Sequence, residues 1–109
     1  MKIRSLIIFI LTLVFSPLTQ ADLVSDEAQL GADVGAMSYC KDKYGDDETD
    51  GLYDILRIKT LKAYDDLDED TRLKALVFRN SAEEKGDYLG KSLDKDRCDS
   101  LRKLLQLKY

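Results

Sequence analysis

Beyond residue 21, apolar residues recur every three to four positions between charged ones, and no stretch alternates with a period of two. That spacing predicts amphipathic helices rather than strands, and no β-branched run or Asn-Gly turn pair argues otherwise. A first helix is expected from about Ser25, an N-cap followed by Asp26 and Glu27, to Tyr44, with Gly45 as its terminator. A second begins near Asp50 or Gly51 and reaches about Asp66. Leu52, Leu56, Ala63 and Leu67 form its clearest inward face, broadened by Tyr53, Ile55 and Tyr64. Asp68 caps a third helix that carries Leu73, Leu76, Val77, Phe78 and Ala82 and ends between Lys85 and Lys91, where Gly86 and Gly90 lie. A fourth starts after Ser92 or Asp94 and carries Cys98, Leu101, Leu104, Leu105 and Leu107.

The first of these segments is unusual. Ala28, Ala32, Ala36 and Cys40 follow one another at i+4, and Gly31, Gly35 and Tyr39 form the neighbouring row. Each glycine costs up to about 1 kcal/mol of helix propensity against alanine, so a close approach by another helix is the expected compensation. Gly-x-x-x-Gly also marks membrane dimers, but only within an apolar span, which Asp26, Glu27 and Asp33 rule out.

Ahead of these segments lies a different pattern. Lys2 and Arg4 precede an apolar run from Leu6 to Phe15, Pro17 breaks it, and Thr19-Gln20-Ala21 places small side chains before Asp22. This reads as a cleaved secretory signal over residues 1–21, too short to span a membrane, leaving 22–109 as a single helical domain. A periplasmic or secreted product without membrane insertion follows. The leader carries two cations and no acid, so the remainder holds 15 basic against 21 acidic residues, a net charge of −6. That balance argues against nucleic acid and anionic lipid as partners and leaves basic proteins open.

Cys40 and Cys98 have only each other in an oxidising compartment, which makes a disulfide the expected state. Closing a loop of about 58 residues contributes roughly 4 kcal/mol in the chain-entropy account. The expected fold is all-α, a small up-down-up-down four-helix bundle. In it the C-terminal end of the first helix and the N-terminal end of the fourth share a pole, where a Cys40–Cys98 bridge fits.

Little in the chain carries chemistry. Histidine is absent, which removes Ser-His and Cys-His nucleophilic pairs and the commonest metal ligand. No Gly-rich phosphate loop occurs, and neither a cofactor nor an enzymatic activity is expected. Asp46, Glu48, Asp50 and Asp54 sit at positions 1, 3, 5 and 9 of a calcium-loop pattern with Gly51 at 6, but Arg57 occupies position 12, where a bidentate glutamate belongs. An acidic interhelix loop with Asp50 capping the second helix is the better reading. Asp65, Asp66, Asp68, Glu69 and Asp70 form a second acidic group that capping and solvation explain. Tyrosine is the remaining signal. Tyr39, Tyr44, Tyr53, Tyr64 and Tyr88 are candidates for an interaction surface, because tyrosines are enriched both at interfaces and at the rims of small cores.

The leader, the small-residue helix ending in Tyr39-Cys40-Lys41-Asp42-Lys43-Tyr44, and the late Cys98-Asp99-Ser100-Leu101 segment together resemble periplasmic immunity proteins. Members of that family protect bacteria from type VI amidase toxins. The resemblance implies a small helical exported protein that blocks a cell-wall hydrolase by binding it. Size, helicity and one disulfide are also similar to periplasmic acid-stress chaperones. The expected function is therefore a non-enzymatic protein-binding domain, an inhibitor or immunity protein, with an acid-stress chaperone as the alternative and a weak calcium-binding module third.

Overall fold

A computed structural model describes residues 24–109; the expected leader lies outside them. Four helices account for most of the described chain: α1 (Asp26–Tyr44), α2 (Asp50–Asp65), α3 (Glu69–Lys85) and α4 (Lys95–Lys108). Two short strands, β1 (Asp87–Tyr88) and β2 (Lys91–Ser92), pair antiparallel between α3 and α4. The all-α bundle is as expected; the strand pair is not.

Side-chain caps set most of the helix starts. Ser25 Oγ accepts from the Ala28 amide at 3.2 Å, Asp68 from Thr71 at 2.8 Å and Asp94 from Arg97 at 2.8 Å, each satisfying an amide that the helix leaves free. Helix α2 differs from expectation. Its N-cap is Thr49, and Asp50 is its first residue. Helix α3 stops at Gly86, whose φ of +66° places it in the left-handed region and whose amide donates to the Ala82 carbonyl. A methyl group there would also collide with the Tyr39 ring.

Helix α1 touches the other three helices and β1. Every residue from Gly31 to Met37 is buried, so this helix has no solvent face over its central two turns. The seam with α3 is its most intimate. A Cβ on Gly31 would meet the Ala75 carbonyl oxygen, and one on Gly35 would meet that of Arg79. The small-residue stripe thus brings backbone against backbone, as its spacing implied.

Around the other side of α1, Met37, Cys40, Tyr53, Leu56, Leu101 and Leu105 form the larger core cluster. Fully burying an aliphatic side chain of this kind contributes about 1.5–3 kcal/mol. Cys40 and Cys98 are bonded within it, with their Cα atoms 5.6 Å apart, and join α1 to α4. A smaller cluster of Val34, Tyr64 and Ala75 joins α1, α2 and α3. Among the described residues no helix is long and apolar enough to cross a membrane.

Candidate functional site

Helix α3 buries its alanines and displays three of its four large apolar residues, Leu76 being half-buried. Ala75 and Ala82, seven positions apart and so on one face, are fully buried against α1. Leu73, Val77 and Phe78 are 58%, 65% and 38% exposed. The cause lies in the partner helix. With Gly31 and Gly35 pressed on the α3 backbone, no side chain larger than a methyl group fits in the seam, so the bulky residues face outward.

That outer face forms one wall of a groove of about 340 Å³. Val24, just ahead of α1, and Ala28 in its first turn form the second wall, Val77 and Phe78 the first, and Leu89 with Asp87 closes the end. Leu89 and Gly90 are the two central residues of the β1–β2 turn, with φ of 52° and 89°, the signature of a type I′ hairpin. Asn, Asp or Gly normally occupies the first of these positions. A leucine there costs about 1 kcal/mol in backbone strain, yet this residue lines the groove.

The hairpin is held by a buried acid. Asp33, on α1, is wholly inaccessible; its Oδ1 accepts from the Tyr88 hydroxyl at 2.6 Å, while Oδ2 has no partner among the described residues. Burial raises the Asp33 pKa to about 6, against the opposing pull of the Tyr88 hydrogen bond and the Lys108 charge. The Tyr88 hydroxyl is in turn pushed up by burial and by the Asp33 charge. Tyr88 directly precedes Leu89, so this bond fixes the turn that ends the groove. Comparison with protein families, characterised proteins and solved structures finds no match for this chain.

The structure scatters the five candidate tyrosines instead of gathering them on a surface. Tyr53 and Tyr64 are 1% and 3% exposed, which corrects their assignment as surface residues. Tyr64 donates to the Arg72 carbonyl at 3.1 Å and so bolts α2 to α3, while Tyr53 lies beneath the Arg102 guanidinium at 5.6 Å. Tyr39, Tyr44 and Tyr88 pack half-buried on the larger core. The rings seal the core rim because a small bundle has few other large residues to cover it.

The acidic loop is likewise committed to local structure. Asp46 Oδ1 accepts from the amides of Glu48 and Thr49 and from the Thr49 hydroxyl, at 3.0, 2.9 and 2.9 Å. The Thr49 hydroxyl bond, with the amide bonds behind it, holds the Asp46 carboxyl below its ordinary range. Asp54 accepts from Lys41 Nζ at 2.9 Å and has Arg57 Nη2 at 3.8 Å, which turns it toward cations of the protein itself. Among the described residues no group of three or more His, Cys, Asp or Glu side chains is placed to hold a metal ion. In the second acidic group, Asp68 is the cap of α3, and the Thr71 amide lowers its pKa.

Sequence reasoning missed Val24, Val77, Phe78 and Leu89 as a site, and it missed Asp33. A usable signal existed for α3. Glycines on α1 demand small residues on whatever packs there, and the Ala75–Ala82 spacing supplies them on the side opposite Val77. Nothing comparable marks Leu89, which breaks the residue preference of its own turn.

Proposed function

We propose that this chain is a non-enzymatic binding domain of the periplasm or extracellular space that recognises another protein through the α3 groove. The observation that carries this reading is the outward placement of Leu73, Val77 and Phe78 beside a preformed apolar groove. Large exposed apolar residues gathered around a concavity are the usual mark of a protein interface. The Cys40–Cys98 bond supports an oxidising compartment. The sequence likeness to periplasmic immunity proteins supplies the sharper form of the proposal, an inhibitor that occludes a cell-wall hydrolase by stoichiometric binding.

The alternative, an acid-stress chaperone, asks for a fold that loosens as pH falls. Asp33 works in the opposite sense. Its folded pKa of about 6 lies above the ordinary 3.8, so the folded state binds the proton more tightly and gains stability as pH falls between those values. The carboxylates with depressed values, Asp46, Asp54 and Asp68, lose their contribution only below about pH 4. The binding reading needs no acid transition.

A photo-crosslinking residue placed at Phe78 and, as a control, at Leu107 tests the proposal in the cell envelope. The expected result is one protein captured from position 78 and not from 107, which then forms a 1:1 complex with the purified domain and loses hydrolase activity in it. Equal capture from both positions, or a captured protein that forms no complex on purification, would defeat it.

A further inference from the structure

We propose that the α3 groove receives an amphipathic helix of a partner protein whose apolar side chains are flanked by lysine or arginine, and that Leu89 is retained at a left-handed turn position because its side chain grips that helix. The inference rests on the protein-binding reading above and adds the chemistry of the partner. Charge around the groove sets that chemistry. Asp87 lines it; exposed Asp26 adjoins its α1 wall; and Asp70 and Glu84 lie one helical repeat to either side of Val77 on the exposed face of α3. Lys74 and Lys85 are the opposing exposed cations on that helix, two against these four acids.

A second copy of this chain fits less well. An antiparallel α3 pair centred on Val77 sets Asp70 of one copy against Glu84 of the other, each about 10.5 Å from the centre. Like charges placed opposite one another repel. A second apolar face, carrying Ile55 and Ile58 at 52% and 63% exposure, is flanked by the exposed cations Arg57, Lys59 and Lys62. Seating that face in another copy's groove makes a head-to-tail contact, which leaves a free groove at every step unless the rotation closes a ring. A different chain, one that offers the same apolar-plus-cation pattern on a helix, satisfies the groove with a closed 1:1 contact.

Leu89 is the residue that ties the groove to binding. If only the turn mattered, asparagine would serve better at φ 52°. Leucine there trades fold stability for a side chain on the groove. Leu89→Asn is therefore expected to raise the melting temperature by about 4 °C while weakening partner binding about ten-fold or more. Leu89→Ala keeps the backbone strain and loses the side chain, so it weakens binding without the thermal gain.

The test is an amide NMR titration of the disulfide-bonded protein with a Leu/Lys amphipathic helical peptide of about 18 residues, and with its Leu/Glu twin of identical pattern. The Lys peptide is expected to shift Val24, Val77, Phe78, Leu89 and Gly90. The Glu twin is expected to bind there at least about ten-fold more weakly and to perturb Ile55 and Ile58 instead. Shifts at the groove that are equal for both peptides remove the cationic partner and leave the groove standing. No groove shift with either peptide removes the binding site itself, and the protein-binding reading with it. Unchanged peptide affinity in Leu89→Asn removes the role of Leu89 alone. Groove shifts that grow with protein concentration in the absence of peptide would assign the groove to a second copy and overturn the proposal.

Discussion

The two faces of α3 are built from opposite materials. Toward α1 lie Ala75 and Ala82, matched to Gly31 and Gly35 closely enough that carbonyl oxygens occupy the space a β-carbon would need. Toward solvent lie Leu73, Val77 and Phe78, among the larger apolar residues of the helix. A helix that only filled a core would arrange these the other way round, since bulky side chains contribute the most on burial. The inner face secures position by backbone proximity, and the outer face is left free to meet something else. Stability and the proposed recognition are thus divided between two sides of one helix.

Substitutions at the seam break the comparison hardest. Gly31→Val puts a branched β-carbon onto the Ala75 carbonyl oxygen, and we expect a loss of about 3 kcal/mol or more in chemical denaturation. A variant that unfolds at the parental denaturant concentration would mean that α1 and α3 do not touch at this point. Asp33 belongs to the inner helix but steadies the end of the outer groove through Tyr88. Stability is expected to rise by up to roughly 3 kcal/mol as pH falls from 7 toward 4, the reverse of the usual trend, because the Asp33 pKa stands near 6. Asp33→Asn should flatten that rise; denaturation curves at several pH values would show a persistent slope if some other group were responsible. On the outer face, Val77→Ser should change stability by no more than about 0.5 kcal/mol, yet reduce the binding of an environment-sensitive apolar dye. A large loss of stability from this change would place Val77 in the core and erase the distinction.

Much of the scaffold was legible before any coordinates. Capping by Ser25 and Asp68 and the Cys40–Cys98 pair follow from local chemistry that acts within a few residues, or from elimination between two thiols, whereas the end of α3 and the start of α4 were legible only to within a few residues. The small-residue stripe announced a close helix partner but not its identity, since spacing on one helix does not name the other. Reading the tyrosines failed at Tyr53 and Tyr64 for a related reason. An amphipathic ring suits a core rim and an interface equally, and only the number of competing large residues decides between them. On α2 the buried line runs through Tyr53, Leu56, Thr60 and Tyr64, leaving Ile55 exposed, because two tyrosines and a threonine whose hydroxyl returns to the Leu56 carbonyl at 2.8 Å fill the space facing α1. Asp33 was hidden by composition. A charged residue in a surface helix belongs outside, and only the enclosure of α1 on all sides turns it inward. The strand pair at 87–92 was missed because its turn begins with leucine, against the preference on which hairpin recognition depends.

The division of α3 into a holding face and a meeting face can be measured directly by methyl NMR of the disulfide-bonded protein with a soluble paramagnetic relaxation agent. The methyl groups of Leu73 and Val77 should broaden strongly as the agent is added, while those of Ala75 and Ala82 stay sharp. Broadening of the two alanines, or protection of Val77 that persists on dilution, would contradict the arrangement on which the function proposed here depends.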